Sequence, residues 1–74
     1  MEETLGAIVQ RHRKKSGLSR ERLAEIAGVG KTVIYDIEHG KNSVRYTTVM
    51  KVLDALNIRI RLISPLEEDS DEKG

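Results

Sequence analysis

Cysteine, tryptophan and phenylalanine are all absent from this 74-residue chain. Without cysteine, neither a disulfide nor a thiolate metal site can support the fold. The two histidines, His12 and His39, lie too far apart in sequence to form a metal-binding pair of the usual spacing. A single hydrophobic core in so short a chain is only marginally stable, so self-association is one way for the fold to gain stability.

Long apolar runs are also missing. None approaches the roughly 18 residues that a membrane-spanning helix requires. The first residues, Met1 to Leu5, are acidic and lead into an amphipathic stretch, which differs from a signal peptide. We therefore expect a soluble, cytoplasmic protein with no membrane partner.

Residue sets typical of enzymes are lacking as well. No serine lies in a pattern with a histidine and an acid that would indicate nucleophilic catalysis. The segment GVGKT, from Gly28 to Thr32, is similar to the end of a phosphate-binding P-loop. The full motif requires glycine at the position of Glu25 and a buried strand before it, whereas the preceding segment has a helical pattern. We therefore predict no enzymatic activity and no nucleotide, metal or other cofactor.

The formal net charge of +1 is unevenly distributed along the chain. Residues 1–63 carry a net charge of +5, and residues 64–74 carry a net charge of −4. The basic part weakly favours contact with a polyanion such as nucleic acid. We expect residues 1–63 to form one domain and residues 64–74 to form an acidic, disordered tail. The tail acts either as a contact for a partner or as a solubilising end.

The spacing of apolar residues predicts four short helices. Ser19 is a favourable N-cap before the second helix, and Gly28 is a favourable residue to end it. Gly17 and Gly40 end the first and third helices, and Asn57 follows the fourth. The predicted helices span about residues 5–16, 20–27, 31–39 and 46–56.

A strand pattern of period two follows the last predicted helix. Ile58, Ile60 and Leu62 alternate with Arg59 and Arg61, and a proline ends the run. A single strand leaves its backbone groups unpaired. It therefore either pairs with the strand of a second subunit or packs as an extended tail on its own domain. In the paired form, the three apolar side chains would cover the helical core.

The stretch from Ser19 to Gly40 is typical of two short helices joined by a tight turn. Small Ala24 allows the helices to cross closely, Gly28 suits a sharp reversal, and Val29 places an apolar side chain in the turn. These features resemble the helix-turn-helix of the Cro/cI type, also called the XRE family, over about residues 5–56. The stretch KNSVRYTTVMKVLDALNIRIRL resembles the HipB-type antitoxins in particular.

The resemblance implies an all-α, lambda-repressor-like bundle of about four helices with a short C-terminal strand. Arg13 and Glu38 match a charged pair that joins the first and third helices of the family and orients the third. In HipB-type proteins the final strand pairs across a dimer. The implied dimer contacts are Ile58, Arg59, Ile60, Arg61, Leu62 and Ile63.

The resemblance also implies which residues contact DNA, because the third helix is the one that enters the major groove. Lys31 and Thr32 hold positions that read bases. Tyr35 and Asp36, one turn later, are either DNA contacts or solvated residues. Arg20 replaces a glutamine common in relatives and brings a positive charge for a phosphate. The implied contact residues are Ser19, Arg20, Lys31, Thr32, Tyr35, Asp36, Lys41, Asn42, Ser43 and Arg45.

The function implied by the resemblance is sequence-specific repression by a homodimer that binds double-stranded DNA at a palindromic operator. The likeness to HipB-type proteins further implies the autoregulating antitoxin of a type II toxin–antitoxin operon, with a HipA-like kinase toxin as partner. Two alternatives remain open. One is a stand-alone phage or restriction-system regulator, and the other is a protein-interaction module that does not bind DNA.

Overall fold

The computed structural model describes residues 3–66 and contains four α-helices in that range. They are α1 (Leu5–Lys15), α2 (Arg20–Ala27), α3 (Lys31–Glu38) and α4 (Tyr46–Ala55). The predicted all-α architecture is confirmed, and the helix ends agree closely with those expected from the caps. Residues 67–74, most of the predicted acidic tail, lie outside the described part of the chain, so the disorder of the tail stays a prediction.

Side-chain caps and one glycine explain where the first helices begin and end. The Thr4 hydroxyl accepts a hydrogen bond from the backbone N–H of Ala7 at the start of α1 (3.1 Å). The Ser19 hydroxyl accepts one from the N–H of Arg22 at the start of α2 (3.0 Å). Gly28 ends α2 in the left-handed conformation, at φ 76°, where a residue with a Cβ atom would be strained. The chain therefore reverses sharply here and starts α3 across α2.

One hydrophobic core holds the four helices together. Its fully buried side chains come from every helix and are Val9, Leu23, Ile34, Val52 and Leu53. Each such burial contributes about 1.5–3 kcal/mol relative to an exposed side chain. Helix α3 packs against both α1 and α2, and α2 also packs against α4. The inner face of α3 is therefore fixed by the core.

The first helix and the end of the third approach each other closely at Gly6. This glycine is buried within α1. A Cβ atom at this position would overlap the carbonyl oxygen of Ile37 and would lie 2.7 Å from the carbonyl oxygen of Glu38. Both neighbours are backbone atoms of α3, so they cannot rotate out of the way. The absence of a side chain at Gly6 therefore allows α1 and α3 to lie this close together.

The segment after α4 differs in part from its predicted form. Asn57 ends the helix with a positive φ of 59°, as expected for a residue at this position. Residues 58–64 form no strand within the single described chain. Ile58 packs against the core, whereas Leu62 is 91% exposed and Ile63 is 70% exposed. The expectation that Leu62 covers the core concerns the paired form, which a single chain does not test. Pairing with a second copy stays a prediction.

Candidate nucleic-acid interface

The N-terminal ends of α2 and α3 border an open groove on the surface, called here the α2–α3 groove. Its lining residues are Arg13, Ser19, Arg20, Glu21, Lys31, Thr32 and Tyr35. Five of the ten residues expected to contact DNA therefore lie in one place. The fold brings them together because the turn at Gly28 places the start of α3 beside the start of α2.

Helix α3 is clearly divided into a buried and an exposed face. Ile34 and Ile37 are buried in the core. Lys31, Thr32 and Tyr35 are exposed, and the Tyr35 residue keeps 50% of its surface accessible. An eight-residue helix that presents a lysine, a hydroxyl group and a phenol on one side has hydrogen-bond donors for base edges and phosphates. Gly30 is the N-cap of this helix, and it makes no side-chain hydrogen bond because glycine has no side chain.

An acidic residue shares the groove with this positive charge. The Lys31 ammonium lies 3.6 Å from a carboxylate oxygen of Glu21, and both side chains are largely exposed. The pKa of Glu21 is lowered, first by a backbone hydrogen bond and then by the charge of Lys31. Exposed ion pairs are weak. A phosphate group that approaches Lys31 can therefore displace Glu21 at little cost.

The other five expected contact residues do not line the α2–α3 groove. Asp36 lies at the far end of α3, where its carboxylate is 3.9 Å from the Lys41 ammonium and only 21% exposed. The remaining three residues, Asn42, Ser43 and Arg45, are exposed in the loop before α4. Lys41 and Asn42 border a different groove.

Glu38 joins three helices through its buried carboxylate, in an arrangement called here the Glu38 network. Arg13 of α1 donates from Nε to Glu38 Oε2 (2.6 Å) and from Nη2 to Oε1 (3.3 Å). Arg20 of α2 donates from Nε to Oε1 (3.0 Å). The Glu38 side chain is fully buried, and Arg13 is 8% exposed and also donates to the Leu18 carbonyl oxygen. The pair matched from the sequence is thus in contact, with Arg20 as a second cation.

The balance of forces on this carboxylate favours its charged form. Burial acts to raise the pKa of Glu38, but the hydrogen bonds from Arg13 and Arg20, together with their charges, outweigh it. The pKa of Glu38 therefore lies below its ordinary value of 4.5. A charged Glu38 fixes α3 relative to both α1 and α2, which sets the direction in which the exposed face points.

Two aromatic contacts were not expected from the sequence. The guanidinium carbon of Arg20 lies over the Tyr35 ring, 5.4 Å from its centroid. The imidazole of His39 stacks on Tyr35, with 3.8 Å between ring centroids and 19° between ring planes. The spacing of Tyr35 and His39, four residues apart on a helix, is a signal that could have indicated their contact. The position of Arg20 depends on how α2 crosses α3, and no local spacing reports it.

Within residues 3–66, no group of three or more metal-ligating side chains is arranged to hold a metal ion. In the same range, no helix is both long enough and apolar enough to cross a membrane. The groove holds basic, hydroxyl and phenol groups on an accessible helix, as in a protein that binds nucleic acid.

Two helices joined by a left-handed glycine, with the polar face of the second exposed, define a helix-turn-helix protein. The family model described as helix-turn-helix matches residues 9–63, and the chain belongs to this family of DNA-binding transcriptional regulators. The predicted relation to the Cro/cI-type, or XRE, family is thereby confirmed.

Two similar proteins and one solved structure illustrate the relation. An uncharacterized HTH-type transcriptional regulator, y4mF, of Sinorhizobium fredii is 38% identical over 63 residues, which are 85% of this chain and 83% of that protein. Control protein C.SmaI of Serratia marcescens is 30% identical over 74 residues, 100% of this chain and 88% of that protein. A chain in the solved HipA-HipB-O2-O3 complex has the same fold, with a TM-score of 0.74 at 23% identity over 82% of this chain and 86% of that chain.

Proposed function

We propose that this protein is a homodimeric, sequence-specific repressor that binds a palindromic operator through two copies of α3. The observation that carries the proposal is the exposed face of α3 with Lys31 and Thr32 at its start, held in one orientation by the buried Glu38 carboxylate. The N-terminal residues of such a helix reach base edges when it lies in the major groove. In a two-fold dimer the two copies would enter successive grooves roughly 34–36 Å apart.

Contacts with phosphates would supply most of the affinity. Ser19 and Arg20 at the start of α2 lie in the same groove as Lys31, so one DNA strand that passes over the groove meets all three. The exposed loop residues would hold the backbone on the other side of α3; they are Lys41, Asn42, Ser43 and Arg45. Each lysine or arginine that binds a phosphate adds to the salt dependence of the affinity.

The dimer would form through residues 58–63. Leu62 and Ile63 are largely exposed in the single chain, and Ile60 is 45% exposed. Extended segments of two subunits that pair side by side satisfy each other's backbone groups, and the face that carries Ile60 and Leu62 would be covered in the dimer. Arg59 and Arg61 alternate with them and would face the solvent. In this arrangement residues 1–63 act as one DNA-binding and dimerising domain.

The finer role that we propose is that of an antitoxin that represses its own operon. The support is the shared fold with a chain of the HipA-HipB-O2-O3 complex. A HipA-like kinase would then be the toxin partner, and the acidic residues 64–74 would form either an additional contact with it or a solubilising end. Repression of an operator would place the protein in the cytoplasm.

The second candidate is a stand-alone regulator of a restriction system or a phage. The full-length similarity to control protein C.SmaI favours the restriction system. The two roles differ in partners and not in the DNA-binding surface. A toxin gene beside the gene for this chain would favour the antitoxin, and a restriction or methylation gene in that place would favour the control protein.

Fluorescence anisotropy with labelled DNA from upstream of the protein's own gene tests the proposal. We expect binding that persists with unrelated competitor DNA, weakens steeply with salt, and saturates at two chains per palindrome. Binding no stronger than that to the competitor would contradict an autonomous repressor. Addition of the neighbouring gene product would then test whether a partner is required. Failure with that product as well would favour a module that contacts only proteins.

A further inference from the structure

We propose that Tyr35 selects one base pair of the operator through its hydroxyl group, and that Arg20 is the positioning residue that holds it there. This proposal rests on the proposed DNA-binding function. It assigns Arg20 a role beyond a phosphate contact and gives Tyr35 one specific mode of recognition.

The Tyr35 ring is held by two neighbours on different parts of the fold. His39 stacks on it from the end of α3 at 3.8 Å, and its own Nδ1 is 2.8 Å from the Tyr35 carbonyl oxygen. Arg20 lies over the ring from α2 at 5.4 Å. A cation over a tyrosine ring is attracted by the negative face of the ring. The ring is therefore restrained although half of the residue's surface is exposed.

Because His39 and Arg20 both contact the Tyr35 ring, its hydroxyl group and its ring edge are the parts that remain for a ligand. Within residues 3–66, the Tyr35 hydroxyl has no hydrogen-bond partner. A base cannot stack on a ring surface that the imidazole already covers. A phenol O–H can donate to purine N7, guanine O6 or thymine O4, and it can accept from adenine N6 or cytosine N4. The expected contact is one hydrogen bond to one base edge in the major groove.

Arg20 is suited to positioning because its own place is fixed. Its Nε donates to the buried Glu38 carboxylate, and its side chain is only 34% exposed. A guanidinium with one N–H bound to a buried carboxylate is restricted in position, and the guanidinium carbon of Arg20 is thereby held 5.4 Å from the Tyr35 ring centroid. The chain of contacts thus links the carboxylate that orients α3 to the side chain that reads the base. A lysine at this position would keep the positive charge, but its ammonium group lacks the planar shape and the several donors of a guanidinium.

The experiment compares operator variants with protein variants. Each base pair of the operator half-site is replaced in turn, and affinities are measured for the wild-type protein and for Tyr35→Phe, Arg20→Gln, Arg20→Lys and the double variant Arg20→Gln/Tyr35→Phe. Tyr35→Phe keeps the ring and removes only the hydroxyl group. Arg22→Gln is the matched control, because Arg22 is an exposed arginine on the same helix, paired with Glu25 and outside the groove. Circular dichroism verifies that each variant is folded.

At one base pair, we expect Tyr35→Phe to reduce the ratio of affinities for the preferred and the replaced base pair by roughly five- to tenfold, in keeping with the loss of one net hydrogen bond. Arg20→Gln should lose preference at the same base pair, and the double variant should lose no more than Tyr35→Phe alone. Arg20→Lys should resemble Arg20→Gln, and Arg22→Gln should leave every preference unchanged. If Arg20 only bound a phosphate, its replacement would weaken all sequences equally and lower the salt slope by about one. That result, or an unchanged preference in Tyr35→Phe, would overturn the proposal.

A measurement without DNA separates this proposal from the proposed function. The chain has two tyrosines and no tryptophan, so Tyr46→Phe leaves Tyr35 as the single fluorophore. Time-resolved anisotropy should then show a restrained ring, with a larger fast component when Arg20→Gln is added. An equally mobile ring in both proteins would refute positioning by Arg20 even if DNA binding is strong. A restrained ring in a protein that binds no DNA would instead refute the proposed function and, with it, base recognition by Tyr35.

Discussion

Replacement of Gly6 by alanine should destabilise the protein, although alanine is the better helix former. The new Cβ atom would overlap the carbonyl oxygen of Ile37 and lie 2.7 Å from that of Glu38. Both atoms belong to the backbone of α3, so the helices must separate. Forced separation of packed elements costs typically about 1–3 kcal/mol, and rigid backbone neighbours favour the upper part of this range.

Helix propensity acts in the opposite direction. Alanine in a helix interior is about 1 kcal/mol better than glycine. The expected net loss is therefore ~2 kcal/mol in the free energy of unfolding, which combines the steric cost with this gain. In a domain of this length, that loss corresponds to a decrease in Tm of roughly 8–16 °C. Separation of α1 from α3 should also lengthen the contact between Arg13 and Glu38.

Urea denaturation followed by circular dichroism measures the effect, at equal protein concentrations because a dimer gains stability with concentration. Gly30→Ala is the matched control. It makes the same substitution at a helix boundary with negative φ, where a Cβ atom would meet nothing within 4 Å. We expect the control to change stability little, because the poorer N-cap that alanine makes is offset by the smaller conformational freedom of the unfolded chain. A Gly6→Ala protein as stable as the wild type would refute the close approach of α1 and α3.

Three further predictions concern the carboxylate network, the dimer and a helix cap. Because the pKa of Glu38 is lowered in the folded state, its charge stabilises the fold above about pH 4.5 and this contribution is lost as the pH falls through the folded-state pKa. Glu38→Gln should therefore cost about 3 kcal/mol at pH 7 and flatten the acid limb of a pH-dependent urea series, whereas an unchanged acid limb would contradict the network. Leu62→Asp should shift the sedimentation equilibrium from dimer to monomer, and an unchanged mass would argue against dimerisation through residues 58–63. Ser19→Ala should lose about 1 kcal/mol of stability in thermal unfolding, and no loss would mean that its hydroxyl is not an effective cap.

Local chemistry explains why the helices were predictable. Ser19 and Gly28 have short-range roles, a hydroxyl that accepts a backbone N–H and a residue that tolerates positive φ, and both roles are visible in sequence. Asn57 follows the same logic at the end of α4. The division of α3 into buried Ile34 and exposed Lys31 follows from helical spacing alone.

Contacts between helices were less predictable. The resemblance to a known family brought Arg13 and Glu38 together, but it assigned Arg20 to a phosphate and gave no sign that it also binds Glu38. These residues are far apart in sequence, and their distance depends on the angle at which α2 crosses α3. The close approach at Gly6 was equally unpredictable, because a glycine in a helical pattern does not reveal that the backbone of another helix lies against it. The extended segment around Leu62 needs a second chain to define its form.

The Glu38 network holds one end of α3, and the exposed side chains Lys31 and Thr32 lie at the other end. Glu38 holds the C-terminal end of α3, whereas Lys31 and Thr32 at its N-terminal end form no hydrogen bond or ion pair with Glu38, Arg13 or Arg20 within residues 3–66. Under the proposed function, Lys31 and Thr32 could therefore change during evolution without altering the angle at which α3 would meet DNA, and new operator preferences would arise on a constant scaffold. Arg20 differs from Lys31 and Thr32, because it contacts both the Glu38 carboxylate and the Tyr35 ring. Under the proposed function, a substitution of Arg20 would alter the orientation of α3 and the recognition of DNA together.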